Sequence, residues 1–224
     1  MPFTAKSGKF NASINTVEFG TGDKAVKIGG ENVFPLYSFD AAIENAPKVG
    51  IEITDFGMEH EPECIKKYYE GCATLADMAR KAASMEGVDF LSFRMEGGDP
   101  NGANKSTEEL IGELKEIADA VDLPLVVCGC KNVEKDAELF SKAAEALNGK
   151  NAVILSAKEE NYKTVGAAAG LAYKQIVGAE SAVDINLAKQ LNVLISQLGV
   201  DSKSVVMNVG SAAVGYGFEY VIST

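Results

Sequence analysis

The segment with the most specific polar pattern spans residues 97–104, Gly-Gly-Asp-Pro-Asn-Gly-Ala-Asn. Gly97, Gly98 and Pro100 define a specific loop, in which Asp99, Asn101 and Asn104 offer directed polar groups. A helix is predicted to begin at Ser106, and the free N–H groups of a helix amino terminus favour polar ligands. The pattern predicts a site for a polar ligand or for a partner's backbone. The alternative is a capped turn whose Asp and Asn side chains bond their own backbone.

Other candidate binding residues lie where short apolar segments end, and they carry amide, carboxylate, thiol or phenol groups. They are Cys130, Asn161, Asp184, Asn186, Asn208, Gly215 and Tyr216. The asparagines can hydrogen-bond the rim of a flat, amide-bearing ligand without adding charge, although the same residue type also caps helices and forms turns. The Gly-Tyr-Gly sequence at 215–217 predicts a stacking surface or a tight bend. Together with the three polar residues of the loop at 97–104, these residues form the predicted binding set.

Few residues could bind a metal or act as nucleophiles, since the chain has four cysteines and one histidine. Cys128 and Cys130 lack the paired spacing of a structural zinc site, so we predict a buried Cys128 and a loop thiol at Cys130. His60 lies between two glutamates, and no Ser–His–Asp or Cys–His arrangement can be assembled around it. We therefore predict no catalytic residue and no metal ligand. The remaining candidates for acid–base chemistry are carboxylates at predicted strand ends: Glu52, Asp55, Glu96 and Glu180.

A repeating pattern of apolar and helical segments must position these side chains. From residue 48 onward, about six short apolar segments alternate with amphipathic ones, and polar, glycine-rich loops follow several of them. Continuous apolar strands that alternate with helices are typical of an α/β fold with a parallel sheet covered by helices. The first strand–helix turn lacks a GxGxxG sequence, which disfavours an open dinucleotide-binding sheet. The several polar loops favour a TIM (β/α)8-type barrel.

The chain divides into two predicted parts. Residues 1–45 contain alternating segments at 13–19 and 24–28, separated by Thr-Gly-Asp, which predict an amino-terminal β-hairpin extension. Residues 46–224 predict a partial TIM barrel. A complete barrel needs about two more strand–helix units than this pattern supplies. We therefore expect the barrel to be truncated within its sixth unit and to leave an open sheet edge.

Charge and hydropathy exclude several classes of partner. The 21 Lys and Arg residues against 32 Asp and Glu residues give a net charge of −11, which disfavours binding to nucleic acid or to an anionic membrane surface. No apolar run approaches the roughly 20 residues of a membrane helix, and the amino terminus has no apolar signal core. We therefore expect a cytoplasmic protein with a packed core, since 46% of its residues are hydrophobic.

Five segments occur in order along the chain and resemble one known family. They are 97–104 (GGDPNGAN), 126–130 (VVCGC) with 133–136 (VEKD), 159–163 (EENYK), 184–192 (DINLAKQLN) and 215–220 (GYGFEY). With the turn at 29–32 and Pro35, they resemble the small (delta) subunit of the corrinoid iron–sulfur protein in the CO dehydrogenase/acetyl-CoA synthase system. The resemblance covers most of residues 28–224 and is loose over 59–85.

The resemblance implies a TIM barrel that pairs with a large subunit carrying an iron–sulfur cluster and a corrinoid-binding domain. The barrel would cap a corrinoid (cobalamin) at the subunit interface, and the predicted binding set would contact it. The complex would take a methyl group from a methyl-tetrahydropterin through a methyltransferase and deliver it to acetyl-CoA synthase. The sequence has no Asp-x-His-x-x-Gly motif and no cysteine array for a cluster, so we expect this chain alone to hold neither cofactor.

Two alternatives stay open at this point. One is a free-standing, pterin-binding TIM-barrel methyltransferase, in which Asp99, Asn101 and Asn208 hold the pterin ring. The other is a structural partner that only scaffolds the large subunit. Binding of a methyl-pterin to the isolated chain would favour the enzyme. Loop variants that alter assembly without altering the methyl-transfer rate would favour the scaffold.

Overall fold

The computed structural model describes residues 8, 10–33 and 43–210. Its strands are β1 (Val17–Phe19), β2 (Val26–Ile28), β3 (Gly50–Thr54), β4 (Phe90–Arg94), β5 (Leu125–Cys128), β6 (Val153–Ala157), β7 (Ile176–Glu180) and β8 (Val205–Asn208). Its helices are α1 (Glu63–Tyr68), α2 (Leu75–Ala83), α3 (Thr107–Ala120), α4 (Val133–Ala146), α5 (Tyr162–Val165) and α6 (Ile185–Gln197). A π-helical segment, Gly166–Ala172, continues α5. None of the helices in these described ranges combines the length and the apolar character needed to cross a membrane.

The strands form two sheets within the described residues. β1 and β2 pair antiparallel as a hairpin, and β3 to β8 form one six-stranded parallel sheet in consecutive order. This order differs from that of a doubly wound sheet, in which the strand order reverses at a switch point. The structure therefore confirms the predicted α/β fold, the amino-terminal hairpin and the parallel sheet of six strands.

The helices cover one face of the parallel sheet. Alternate residues of a strand point to opposite faces, and Leu91, Phe93 and Val127 point towards the helices. They pack in the same cluster as Leu114 of α3 and Phe140 of α4, and all five side chains are almost fully buried. Burial of apolar surface on this scale is the dominant favourable contribution to folding.

The hairpin covers the opposite face at the amino ends of the strands. Val17 and Phe19 are buried in a cluster with side chains of β5, β6 and β7. The ring of Phe19 meets the ring of Phe90 edge-on, with 5.7 Å between the centroids. Asn151, in the turn before β6, donates from Nδ2 to the carbonyl of Glu18 at 3.0 Å. These contacts fix the hairpin at the amino end of the sheet, while the predicted domain boundary near residue 45 stays a prediction.

One predicted helical region consists of two helices in the structure. The sequence predicts a single helical segment over 63–85, whereas α1 and α2 are separated by residues 69–74. Gly71 has a φ of +89°, a left-handed conformation that interrupts a helix. Thr74 then begins α2 with a capping box, in which its hydroxyl accepts from the Asp77 N–H at 3.1 Å. The prediction of one continuous helix is therefore wrong, because the glycine turn ends α1 early.

Candidate functional site

A polar cavity lies at the carboxyl ends of β4 to β8. It encloses about 70 Å³. Its polar lining consists of Arg94, Lys131, Asp136, Ser156, Lys158, Glu180 and Asn208. Because the six strands are parallel, their carboxyl ends meet at one edge of the sheet. Side chains that are distant in sequence become neighbours there, which is where α/β proteins place their ligand sites.

Arg94 is held at the cavity wall by a two-point ion pair. Its Nε and Nη2 atoms donate to the two carboxylate oxygens of Glu52 at 2.9 and 2.8 Å. Hydrogen bonding to Glu52 raises the pKa of Arg94, so the guanidinium stays charged. The pair joins β4 to β3 and fixes the orientation of the guanidinium next to the cavity.

Two looser contacts complete the polar lining. Lys158 Nζ lies 3.7 Å from Glu180 Oε1, which is too long for a hydrogen bond. Asn208 donates from Nδ2 to Ser156 Oγ at 3.4 Å, near the upper limit. Glu180 and Asn208 are register partners at the ends of β7 and β8. These weakly paired groups can exchange their present partners for those of a ligand.

The two cysteines at the end of β5 lie in different environments. Cys128 lines the cavity, and its Sγ lies 3.4 Å from Ser92 Oγ. Cys130 is buried in the core beneath the helices, and its N–H donates to Asp136 Oδ1 at 2.7 Å. Burial raises the pKa of both thiols, to about 11 for Cys130. The predicted burial of Cys128 is confirmed, and Cys130 is buried as well although it lies in a loop.

The loop at 97–104 is anchored by the buried carboxylate of Asp55, which follows β3. Asp55 Oδ1 accepts from the Gly97 N–H at 2.9 Å, and its Oδ2 lies 3.1 Å from Lys105 Nζ. The Lys105 N–H donates to the Gly97 carbonyl at 2.8 Å and closes the loop. Lys105 also donates to Glu113 Oε1 at 3.2 Å, and burial raises the pKa of Glu113. Asp55 therefore holds both ends of the loop.

The three predicted ligands within this loop bond one another or face solvent. Asp99 Oδ1 accepts from the Asn101 N–H at 2.9 Å, and Asn101 is exposed. Asn104 is also exposed and has a φ of +51°, a conformation that asparagine tolerates. The contacts are those of the capped-turn alternative, and the three residues do not line the cavity. Their role in binding a ligand stays a prediction.

Three further predicted ligands follow β6 and β7 at the same edge of the sheet. Asn161 is buried, and its Oδ1 accepts from the Lys158 N–H at 2.8 Å, so it shapes the loop that carries Lys158. Asp184 begins α6 and accepts from the Asn186 N–H at 2.9 Å. The Asn186 side chain is exposed at this helix terminus. It is thus accessible to a partner that approaches the carboxyl ends of the strands.

Within the part of the chain that the structure describes, one member of the predicted binding set, Asn208, lines the cavity. Gly215 and Tyr216 lie outside the described residues. Among the carboxylates proposed for acid–base chemistry, Glu180 lines the cavity and Glu52 pairs with Arg94. The structure thus gathers an asparagine and a carboxylate where the sequence placed them, at the strand ends.

The sequence interpretation missed the basic residues of the cavity. Arg94, Lys131 and Lys158 all line it, and none of them belongs to the predicted binding set. Arg94 is the last residue of β4, and Lys158 directly follows β6. A basic residue at the carboxyl end of a strand is therefore the feature of the sequence that could have identified these two residues.

The described residues contain no group of three or more His, Cys, Asp or Glu side chains arranged to hold a metal ion. The ring of His60 instead meets the ring of Phe56 edge-on, with 4.8 Å between centroids. His60 is exposed.

Consecutive parallel strands covered by helices, with a polar cavity at their carboxyl ends, define an α/β protein of the class that binds ligands at strand ends. Residues 16–224 match the model of the CO dehydrogenase/acetyl-CoA synthase delta subunit family. The chain belongs to this family, which confirms the predicted resemblance.

Curated relatives are named as delta subunits of an acetyl-CoA decarbonylase/synthase complex. The chain is 31% identical over 216 residues to the acetyl-CoA decarbonylase/synthase complex subunit delta of Methanothermobacter thermautotrophicus, covering 95% of this chain and 55% of that protein. It is 31% identical over 223 residues to the Methanocaldococcus jannaschii protein of that name, covering 96% and 54%. It is 30% identical over 209 residues to the Archaeoglobus fulgidus protein, covering 91% and 45%. The chain spans about half the length of the curated relatives it matches.

Proposed function

We propose that this chain acts as a subunit of an acetyl-CoA decarbonylase/synthase complex, in which the carboxyl end of its sheet caps a corrinoid carried by a larger subunit. One observation carries this proposal, namely the difference between the two ends of the sheet. The hairpin fills the amino end with apolar side chains, and polar side chains line the carboxyl end. A polar cofactor would therefore bind at the carboxyl end of the sheet.

The side chains at the carboxyl end fit the rim of a corrinoid better than its metal. A corrin ring carries amide groups around its rim, and these need both hydrogen-bond donors and acceptors. Asn208, Ser156 and Glu180 supply both kinds of group. Burial raises the pKa of the Cys128 thiol, so it stays protonated and is a poor ligand for cobalt. A bound corrinoid supplies the cobalt that carries the methyl group, and this chain supplies contacts to the periphery.

The chain's own residues have distinct tasks under this proposal. Asn208 and Ser156 bind and orient amide groups, because their present mutual contact is long at 3.4 Å. The pair of Arg94 with Glu52 keeps the cavity wall in a fixed shape. Asn186, at the exposed start of α6, is placed to reach the same partner. The cavity of about 70 Å³ is too small for a macrocycle, so these residues act on its edge.

We also infer that the six parallel strands belong to a (β/α)8 barrel. Their consecutive order and the helices on one face are typical of a barrel wall. The hairpin on the other face then lies inside the wall, at its amino end. Small-angle scattering of the full-length protein tests this shape, since a closed barrel and an open sheet differ in radius of gyration.

The proposal gives the chain three protein partners. They are a large subunit that binds the corrinoid and an iron–sulfur cluster, a methyl-tetrahydropterin methyltransferase, and an acetyl-CoA synthase. The support is family membership and the names of the relatives, which are subunits of a complex. Co-purification of the full-length protein should bring down a partner that contains both cobalt and iron.

The decisive experiment measures cobalt retained by the complex of this chain with its large subunit. The double variant Asn186→Ala/Asn208→Ala should lower the cobalt content while the two proteins still associate. Asn192→Ala is the matched control, because Asn192 is an exposed asparagine about 9 Å further along α6, at 1.5 Å per residue. Equal cobalt content in the double variant and the control would argue against a corrinoid at this end.

The pterin-binding alternative receives less support from the geometry. It needs Asp99, Asn101 and Asn208 around one ring, but Asp99 and Asn101 bond each other and do not line the cavity that contains Asn208. Calorimetry with a methyl-tetrahydropterin and the isolated chain separates the two functions. Saturable binding would favour the enzyme over the subunit.

A further inference from the structure

Hydrogen-bond donors outnumber free acceptors around the cavity at the carboxyl ends of β4 to β8. In the described part of the chain, Arg94 Nη1, the Lys131 ammonium and the Ser156 hydroxyl proton have no acceptor. The Lys158 ammonium has one carboxylate oxygen nearby, at 3.7 Å. Lys131 is exposed and Arg94 Nη1 is not fully buried, so these donors are accessible to a ligand group that is rich in acceptors.

The carboxylates beside the cavity are largely engaged already. Glu52 accepts two N–H groups of the arginine. Asp136 is buried and accepts the backbone N–H of Cys130 at 2.7 Å. Glu180 is the remaining carboxylate of the lining, and its contact with the lysine is loose. The formal charges of the three cations and three carboxylates cancel, so the preference for an anion comes from how the donors are oriented.

The loop that carries Lys131 has a backbone fixed towards the cavity. Lys131 has a φ of +72°, a left-handed conformation that is unfavourable for a residue with a side chain. Gly129 has no room for a side chain, because a Cβ there would lie 2.2 Å from Asp136 Oδ1. Asp136 thus holds the loop in one conformation through its buried hydrogen bonds. Strain maintained by such an anchor is typical of a preorganised binding site.

The volume of the cavity limits what it can hold. One water molecule needs about 10–15 Å³ of space measured in this way, so about 70 Å³ has room for a few water molecules. This space suits a single carboxylate or phosphate group. We propose that the cavity binds one oxyanion group through Arg94, Lys131 and Lys158. The site belongs to the chain alone and does not depend on the corrinoid proposal.

Titration with inorganic phosphate tests the site directly. The ¹⁵N-labelled chain is titrated with sodium phosphate at constant ionic strength, balanced with sodium chloride, and the amide signals are followed by NMR. The signals of Lys131 and Ser156 should shift in a saturable way. The same titration with acetate identifies the source, because tighter phosphate binding indicates a phosphate group and tighter acetate binding indicates a carboxylate.

The double variant Lys131→Gln/Lys158→Gln removes two charged donors and should weaken binding by about tenfold or more. Among the described residues Lys131 has no side-chain partner and Lys158 is loosely paired, so the variant should keep its fold, which thermal melting checks. Lys142→Gln is the matched control, because Lys142 is exposed on α4 and pairs with Glu145. Binding in the control should equal that of the unmodified chain.

Three outcomes would overturn the inference. The first is the absence of saturable shifts with both anions. The second is a set of shifts spread over the surface and not centred on residues 129–131 and 156–158. The third is equal binding by the double variant and by Lys142→Gln, which would mean that the anion is attracted by surface lysines in general.

Discussion

The two ends of the parallel sheet are built from the same strands but have opposite character. On β4, Phe90 packs on the hairpin and Arg94, four residues later on the same face, lines the cavity. On β7, Ile176 is buried beneath the hairpin and Glu180 lines the cavity. At about 3.3 Å per residue, each pair is separated by roughly 13 Å. The amino end therefore contributes apolar burial, and the carboxyl end presents groups that are free to meet a ligand.

The largest expected effect lies at the amino end. Phe19→Ala removes a ring that is 3% exposed and in contact with Phe90, so unfolding should become easier by about 3–5 kcal/mol. Urea denaturation followed by circular dichroism measures this change. Glu18→Ala is the control, since Glu18 points away from the sheet and forms an exposed pair with Lys27. A loss for Phe19→Ala no larger than for the control would mean that the hairpin does not close this end.

The second expected effect tests whether every residue at the carboxyl end of the sheet is dispensable for stability. Asp55→Ala should lower the free energy of unfolding by about 1–3 kcal/mol, because it leaves the Gly97 N–H without its buried acceptor and removes one of the two carboxylates paired with Lys105. Glu63→Ala removes an exposed ion pair with Lys66 and should be silent in the same denaturation experiment. Equal stability of the two variants would show that the loop at 97–104 is not anchored by Asp55.

The third effect appears as a dependence on alkaline pH. Burial raises the pKa of Cys130 to about 11, above the value of about 8.5 expected in the unfolded chain. The stabilisation that comes from keeping the Cys130 thiol protonated is fully present below the pKa of this thiol in the unfolded chain. It is lost as the pH rises through the pKa of the thiol in the folded chain. Cys130→Ala should therefore lose less stability than the unmodified chain between about pH 9 and pH 11. Thermal melting across this range measures the difference, and parallel curves would contradict it.

A labelling experiment supports the interpretation of that pH dependence. Cys64 is exposed, whereas Cys128 and Cys130 are buried and their pKa values are raised. At neutral pH, a thiol reagent should therefore modify Cys64 first and leave both buried thiols intact. Rapid modification of Cys130 in the folded chain would show that it does not lie in the core.

The apolar end of the sheet could be predicted from the sequence almost completely. Continuous apolar residues predict β5 at Leu125–Cys128, as the structure confirms, and alternation predicts a strand within 13–19, where the structure has β1 at Val17–Phe19. The helical region at 63–85 was predicted as one element because its composition suits a helix throughout. The sequence alone does not reveal that Gly71 adopts a left-handed conformation there.

The polar end could be predicted only in part, because its neighbours are defined by register. Arg94 pairs with Cys128 across β4 and β5, although the two residues are 34 positions apart in sequence. Asn208 was predicted because an amide at a strand end is conspicuous. Lys158 was missed because one lysine in a charged loop has no distinctive local pattern. The balance of hydrogen-bond donors and acceptors around the cavity becomes known only when the register of the strands is known.

The smallest change in stability is expected from Glu180→Gln, on the same strand and face as Ile176. Glu180 has a loose contact with Lys158, so the substitution should alter the free energy of unfolding by less than about 0.5 kcal/mol. Ile176→Ala, its control four residues earlier, removes a side chain that is 3% exposed and should cost about 2–5 kcal/mol. Urea denaturation of the two variants compares the two ends of one strand.

The same variant should nevertheless change anion binding, which separates stability from ligand contact. Without the carboxylate of Glu180, the Lys158 ammonium loses its ion-pair partner and the cavity loses one of its two lining carboxylates, so the repulsion of an incoming phosphate is reduced. Phosphate should therefore bind several-fold more tightly to Glu180→Gln than to the unmodified chain. If Glu180→Gln causes a large loss of stability and leaves the phosphate affinity unchanged, the carboxyl end of β7 has a structural role and does not contact the ligand. If it causes a small loss of stability and tighter phosphate binding, only the amino end of β7 has a structural role.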